Sequence, residues 1–381
     1  MDFNWTKNQL ELKESIVNFA KTELSQDFID RDKKGDFSRQ DWKKIAQHGV
    51  IGYPFPKEYG GNEGNILDTM LIMEGLGYGF RDAALIFGIN AQMWSVQMPI
   101  VSHGTGTQKE KYLTPMIKGE MIGGHCMSEP LSGSDAYSLK TTAVKDEDFY
   151  ILNGSKTYIT NGPVSDVYLV FANIAPQKGM WGVTAFLVEK DTEGLFVSPV
   201  IEKMGLKTIP MGAVELKDCR VPVENRLGPE GSGAQLFHGS MEWERSCILA
   251  SSLGAMDYQL EKSIEYVKGR KQFGRSISDF QSVSNRVVDM KVRIETARLM
   301  LYKVAWLKSI GKSAVMEAAI AKLYLSECFV QSSLDSVRLH GANGYLTDFG
   351  VEHELRDSIG GLIYSGTSDI QRNIIARMLG L

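Results

Sequence analysis

Phe149-Tyr150-Ile151-Leu152-Asn153-Gly154, followed at once by Ser155-Lys156-Thr157-Tyr158-Ile159-Thr160-Asn161-Gly162, decides how the chain reads. Both runs are β-branched and aromatic, and both end on Asn-Gly, the pattern of a strand running into a turn. The same texture recurs in VYLVFANI (167–174), VTAFLVEK (183–190) and AVELKDCRVPV (213–223), with Gly, Asn, Pro and Asp between the runs. Residues 121–228 therefore predict a middle domain built as an antiparallel sheet or small barrel. Outward from it the texture changes on both sides. NQLELKESIVNFAKTELS (8–25) has apolar residues at helical spacing, and TMLIMEGLGYGF (69–80) and ALIFGINAQMWSVQMPIV (84–101) read as buried helices. Pro54, Pro56 and Gly60-Gly61 mark a loop between them. AQLFHGSMEWERSCILASSLGAMDYQLEKSIEYVKGR (234–270) opens a second helical region as one long segment. The expected organisation is a helical domain over 1–120, a β domain over 121–228 and a helical bundle over 229–381. The fold class is α+β, mostly α, and a cleft where three such units meet suits a cofactor.

Composition narrows the function. The 381 residues carry 42 basic and 46 acidic side chains, a net charge of -4, and no long basic run points to nucleic acid. The start, MDFNWTKNQLELKE, lacks the order of a secretion signal. No apolar stretch is expected to reach the roughly 18 residues of a membrane span. Cys126, Cys219, Cys247 and Cys328 are scattered without metal-type spacing, which reads as a reduced, cytoplasmic protein with no metal.

Five segments carry the chemistry. The first is Cys126-Met127-Ser128-Glu129-Pro130-Leu131-Ser132-Gly133-Ser134-Asp135, where helical texture hands over to strands. Its Ser and Gly residues can bring N–H groups and hydroxyls to a phosphate or a ring carbonyl, although composition alone favours a turn-rich connector. The second is Lys156 to Gly162, in which Tyr158 reads as core on residue type. The third is Arg270-Lys271-Gln272-Phe273-Gly274 with Phe280-Gln281. The fourth is Arg338-Leu339-His340-Gly341-Ala342-Asn343-Gly344-Tyr345. The fifth is Arg356-Asp357, then Tyr364-Ser365-Gly366-Thr367-Ser368-Asp369-Ile370-Gln371-Arg372. Each alone is weak. Together, in this order, they resemble the acyl-CoA dehydrogenase family along the whole chain.

That resemblance implies an N-terminal helical domain, a middle antiparallel β domain and a C-terminal four-helix domain, assembled as a homotetramer with FAD at a subunit interface. It also implies roles. His125, Cys126, Met127 and Ser128 would line the flavin ring, and Gly133 and Ser134 would lie near the pyrophosphate. Tyr158 would stack on the ring, in place of a frequent Trp, with Ile159 and Thr160 beside the reactive edge. Arg270, Phe273 and Gln281, with Arg338, Leu339, His340, Gly341 and Ala342, would come from a neighbouring subunit to hold the adenosine and pyrophosphate, where an arginine fork matches phosphate oxygens. Thr367 and Asp369 would close the site.

The chemistry implied is removal of an α-proton from an acyl thioester with hydride transfer to the flavin, and it needs a base. Most family members carry a glutamate in the Tyr-Glu-Gly-Thr segment. This chain has Ser365 there, to which no proton-transfer role is assigned. Glu244 in MEWERSCILA (241–250) is the alternative. It shares a helical register with Ala234, Phe237, Met241, Ile248, Ser251 and Ala255, so its carboxylate points inward and burial should raise its pKa. The residues alone leave a base and a buried ion-pair partner of Arg245 equally open. The resemblance favours the base, because isovaleryl-CoA and long-chain members carry their glutamate in this Glu-Arg segment. Glu242 lies off the stripe and is expected in solvent.

Within the family the chain is most similar to the branch acting on aminoacyl groups attached to carrier proteins, the prolyl-carrier-protein oxidases of pyrrole and pyrroline natural products, anatoxin-type toxins included. The implied partner is an acyl (peptidyl) carrier protein bearing an aminoacyl thioester, and the implied reaction takes L-prolyl to a pyrroline-carboxyl thioester. Trp94, Met98 and Trp243 could shorten the acyl pocket to fit a five-membered ring, or serve as plain core. The alternatives are an isovaleryl-type short or branched-chain acyl-CoA dehydrogenase, and a catalytically silent thioester-binding protein. The electron acceptor, oxygen or a flavoprotein, stays open.

Overall fold

The structure, a computed structural model, describes residues 4–381. The first three residues of the expected N-terminal domain lie outside them. Helix α1 (Lys7–Glu23) starts on a capping box between Thr6 and Gln9 and turns Ile16, Phe19 and Ala20 inward. After α2 (Phe28–Lys34) and α3 (Arg39–Gln47) come the two apolar helices, α4 (Ile66–Gly79) and α5 (Ala83–His103). Asn65 and Asp82 cap them by accepting from the Asp68 and Leu85 amides.

One expectation is corrected in α5. By length and composition this helix could cross a membrane, yet 83% of its most apolar window is buried inside the protein. Its polar side chains are satisfied internally. Gln92 Nε2 donates to Gln97 Oε1 at 2.9 Å, and Gln92 Oε1 accepts the Gly123 amide at 2.8 Å. It is a core helix. Its middle turn, Met93–Gln97, widens to π geometry, a distortion that recurs at functional sites.

The β domain is one sheet of eight strands. The order is β6 (Leu195–Val197), β7 (Met211–Pro222), β3 (Phe149–Thr160), β2 (Thr142–Asp146), β4 (Val167–Asn173), β5 (Val183–Glu189) and β8 (Arg226–Leu227). It is mixed rather than purely antiparallel. β1 (Gly123–Cys126) pairs with β4 in parallel, and β2 meets β4 in parallel at Thr142 and Asn173. β1 arrives directly from the N-terminal helices, so it enters the sheet by a crossover rather than a hairpin. β4 is buried throughout because the sheet has core on both faces there. Leu169 and Phe171 face the helical core, and Tyr168 and Val170 face the core of the β domain.

The long helical segment expected over 234–270 breaks at Ile248-Leu249 into α6 (Gly233–Cys247) and α7 (Ala250–Gly269). A short hairpin, β9 (Lys271–Gln272) and β10 (Arg275–Ser276), leads to α8 (Gln281–Ser309) and α9 (Val315–His340). α10 (Val351–Gly360) and α11 (Ser368–Met378) complete the bundle.

The bundle joins the N-terminal helices where α7 crosses α4. The crossing is close because it is made on glycines. A Cβ on Gly77 would stand 1.9 Å from the Ser251 carbonyl oxygen, and one on Gly254 would stand 1.9 Å from that of Glu74. Backbone cannot yield as a side chain can. Gly254→Ala should therefore cost at least the 1–3 kcal/mol typical of overpacking, read as a lowered midpoint in chemical denaturation. An unchanged midpoint would mean the two helices are not in contact there.

Candidate active site

The first two segments are held together by a buried ion pair that sequence reading missed. Lys156 Nζ lies 2.8 Å from Glu129 Oε1, with both side chains almost wholly buried. Glu129 also accepts the Thr141 amide at 3.0 Å and hydroxyl at 2.5 Å, and the Lys140 amide at 2.6 Å. Burial works against both charges, and each partner favours the other's ionised form. On balance the Glu129 carboxyl lies below its ordinary range, and so does the Lys156 ammonium. Lys156 Nζ further reaches the Met127 carbonyl at 3.3 Å, and the Thr157 amide donates to the Ser128 carbonyl at 2.9 Å. The loop after β1 is thus pinned along the end of β3.

The features so placed are an open loop and an open ring. Gly133 and Ser134 are exposed, whereas Cys126 and Met127 are buried. Tyr158, which reads as core on residue type, is 65% exposed. Its φ of +58° sits within a register shift between Lys156 and Ile159, where β3 bulges against β7. A bulky residue at positive φ costs on the order of 1–3 kcal/mol and persists where the surroundings impose it. Here the bulge leaves Ile159 buried and turns the Tyr158 ring outward. His125 stacks on Phe237, ring centroids 5.8 Å apart, and stands edge-on to Phe171. Burial, then Lys156, lowers its pKa to about 3, so the imidazole is neutral, and its buried Nε2 lacks a protein partner.

Arg270, Phe273 and Gln281 lie elsewhere, at the hairpin end of the bundle. The Arg338–Ala342 segment meets the same end, where the Tyr266 hydroxyl donates to the His340 carbonyl at 3.2 Å. Arg270, Phe273, Gln281, Arg338, Gly341 and Ala342 are exposed, and Leu339 is buried. Thr367 caps α11 by accepting the Ile370 amide at 3.2 Å, and Asp369 is exposed and paired with Arg372 at 3.2 Å.

Glu244 lies within α6, 8% exposed. Ser365 Oγ donates to its Oε1 and Ser95 Oγ to its Oε2. Ser365 therefore touches the group whose absence from position 365 first drew attention to it. The neighbouring Arg245 turns away from Glu244 and donates through Nε to the Ser365 carbonyl at 3.1 Å. Glu242 is corrected too. It is paired with Lys308 at 2.9 Å instead of standing free in solvent. Burial is the main cause of a raised Glu244 pKa, opposed by the hydroxyls of Ser365 and Ser95 and then by the charges of Arg245 and Lys322.

The loop bearing Ser365 is fastened from three sides. Ser365 and Gly366 have φ of +57° and +87°. Gln371 Nε2 donates to both their carbonyls, at 3.2 and 2.8 Å, and Lys322 Nζ donates to the Gly366 carbonyl at 2.8 Å. Burial, then the nearby Arg245 charge, lowers the Lys322 pKa to about 8. Beside the base, Trp94 and Trp243 stack nearly parallel with centroids 6.0 Å apart, and Phe87 packs on Tyr364 at 4.4 Å. Ile248, Ser251, Phe87 and Tyr364 border a narrow cavity of about 30 Å³ one turn beyond Glu244. Ser95 and Lys322 carry no local motif, whereas Arg245 stands in the Glu-Arg segment that also marks the base. The only sequence signal of the first two is the inward helical register of their neighbours.

Chemically, the arrangement offers a buried carboxylate of raised basicity beside aromatic walls. It also offers a hydroxyl-bearing and amide-bearing loop next to an exposed aromatic ring. The second set suits a planar heteroaromatic group with carbonyl edges and a phosphate tail. The exposed Tyr158 face, the orphaned His125 nitrogen and the open Gly133-Ser134 turn fit a flavin nucleotide.

Three family models match the chain. The acyl-CoA dehydrogenase N-terminal domain covers residues 6–120, the middle domain 124–219 and the C-terminal domain 231–380. An L-prolyl-[peptidyl-carrier protein] dehydrogenase of Serratia sp. is 42% identical, over 100% of this chain and 99% of that protein. One of Pseudomonas fluorescens is 40% identical over 100% of both. Among solved structures, the prolyl acyl carrier protein oxidase AnaB superposes with a TM-score of 0.98 at 48% identity, over 99% of this chain and 100% of that one. PigA with FAD and proline gives 0.97 at 41% identity over 100% of both.

Lys156→Met leaves Glu129 buried without its cation. That should cost roughly 3–5 kcal/mol, the usual penalty for breaking a buried pair from one side. The double variant Lys156→Met, Glu129→Leu should recover part of the loss. A double-mutant cycle in urea with no coupling between the two sites would contradict the pairing.

Proposed function

The chain belongs to the acyl-CoA dehydrogenase family, and we propose that its substrate is L-proline held as a thioester on a carrier protein, with Glu244 as the base. The enzyme is a flavin-dependent oxidoreductase that uses FAD and converts the L-prolyl thioester to a pyrroline-carboxyl thioester in natural-product biosynthesis. Similarity over the full chain to two prolyl-carrier dehydrogenases and to a prolyl-carrier oxidase supports the substrate. The observation that carries the reaction is Glu244, a carboxylate in a buried pocket whose pKa burial raises.

Glu244 takes the α-proton of the thioester. The electron pair left at the α-carbon forms the double bond to the β-carbon as a hydride leaves that carbon. Bound FAD supplies the hydride acceptor. Its ring would be held by the 125–128 segment and by Tyr158, Ile159 and Thr160, and its phosphates would lie by Gly133 and Ser134. Thr367 and Asp369 would border the site. Trp94 and Trp243, each next in sequence to a residue of the Glu244 hydrogen-bond pair, stack on each other, and bulk there would favour a five-membered ring over a long chain.

The exposed groups of the bundle end, Arg270, Phe273 and Gln281 with the Arg338–Ala342 segment, would reach a neighbouring subunit's FAD. That supports a homotetramer, checked by light scattering of the flavin-loaded protein. All four cysteines are free and buried, which fits the reducing cytoplasm.

The test is Glu244→Gln, close to isosteric yet unable to accept a proton. It should keep about one FAD per subunit and lose ~10²–10⁴-fold in the rate at which prolyl-carrier protein bleaches the flavin. Bleaching at the wild-type rate would remove Glu244 as base. Faster turnover of isovaleryl-CoA than of prolyl-carrier protein would instead favour a branched-chain acyl-CoA dehydrogenase. A protein that binds no flavin after reconstitution would be a silent thioester binder.

A further inference from the structure

We propose that Ser95 and Ser365 form a two-hydroxyl cradle that holds Glu244 in its working orientation and sets the pH range in which it is charged. The proposal rests on the reading of Glu244 as the base and makes both serines positioning residues for it.

The two hydroxyls come from remote parts of the chain and divide the carboxylate between them. Ser365 donates to Oε1 and Ser95 to Oε2. Each hydroxyl has one proton to give. With one donor on each oxygen, rotation about the terminal torsion is restrained and each oxygen keeps a lone pair for an incoming proton. Neither donor is free to leave. Ser95 lies in the π turn of α5, itself buried. Ser365 sits in the loop fastened by Arg245, Gln371 and Lys322. A carboxylate at position 365 would stand beside Glu244 as a second acceptor and a like charge. Serine at that point is a donor instead.

The charged and titratable groups facing Glu244 are few. Arg245 stands on its own helix, Lys322 comes from α9, and Tyr364 precedes Ser365. Burial favours the neutral acid, and the two hydroxyls are the strongest opposing contribution, ahead of both cations. A hydrogen bond donated to a carboxylate stabilises its charged form more than its neutral form, so removing one raises the pKa. The acid limb of the rate profile must then move to higher pH. Hydrogen bonds to charged groups correspond to about one to two pH units, a tenfold to hundredfold loss on the acid limb.

The measurement is the rate of flavin bleaching by prolyl-carrier protein from pH 5 to 10. It is made on the FAD-loaded wild type and on Ser365→Ala, Ser95→Ala, Ser95→Thr and Glu244→Gln. Infrared difference titration of the same proteins without substrate, with Glu244→Gln as the blank, reads the carboxyl directly. Each alanine variant should shift the limb and the infrared midpoint upward together. Ser95→Thr, which keeps a hydroxyl on right-handed helical backbone, should restore both. A fall in rate with limb and midpoint unmoved would overturn the cradle and make the serines plain packing. Full-rate bleaching by Glu244→Gln would remove the base itself, an outcome distinct from failure of the cradle.

Discussion

The charge on Glu244 cannot be left bare inside a protein, and much of the surrounding structure answers to that requirement. An uncompensated buried carboxylate costs several kcal/mol. The compensation arrives from three parts of the chain: the π turn of α5 through Ser95, the loop after α10 through Ser365, and α9 through Lys322. None of these can be shifted independently. The π turn depends on a helix buried over most of its length. The Ser365 loop holds a positive φ only because Arg245, Gln371 and Lys322 occupy its carbonyls. Both cations beside Glu244 are thus anchored by that loop's carbonyl oxygens rather than by the carboxylate. A direct ion pair would make Glu244 a weaker base; an unpaired cation would repel its neighbours.

A second network holds the three regions together. Asp82, at the start of α5, accepts the Thr208 hydroxyl at 2.5 Å and pairs with Arg31 at 2.8 Å. Asp357 in α10 accepts the Leu206 amide at 2.5 Å and lies 3.1 Å from His353 Nε2. Burial alone would lower the His353 pKa, but Asp357 overrides it and holds the imidazole up at about 9, so the pair is ionic at neutral pH. Asp32, His353 and Asp357 converge as metal ligands might, yet Arg356 sits 2.5 Å from Asp32 and supplies the positive charge. The loop over 203–209 is therefore gripped by both helical regions next to the cavity bordered by Phe87 and Tyr364.

The three-part texture was legible because strand and helix periodicities differ, but Asn153-Gly154, which reads as the end of a strand, lies inside β3 at a register shift, and only Asn161-Gly162 closes it. The parallel pairing of β1 was not, since GGHC has neither alternation nor β-branched residues. The extent of α5 was legible from the run over 84–101, but its membrane-span hydropathy was masked by Asn90, Gln92, Ser95 and Gln97, which are satisfied by Trp94, one another, the β1 backbone and Glu244. Glu129 and Lys156 each look solvent-directed in isolation; only the fold brings residues 27 apart into a buried pair. Tyr158 misled in the opposite direction, because a bulge reverses the face an alternating strand predicts. The inward register of Glu244 was readable from its own helix. Its partners were not, because they stand 149 and 121 positions away.

A hydroxyl rather than a carboxylate at position 365 bears on what surrounds Glu244 as well as on its charge. A base on α6 stands just before the break that leads into α7, where Ile248 and Ser251 line the adjacent cavity. The residue before Glu244, Trp243, stacks on Trp94, which itself precedes Ser95. Base, hydroxyl donor and aromatic wall thus occupy neighbouring positions on two facing helices. Moving the wall would also move a donor away from the carboxylate. The aromatic pair and the base are coupled through the backbone at Trp94-Ser95 and Trp243-Glu244, so a change that shifts this stack also loosens the hold on Glu244.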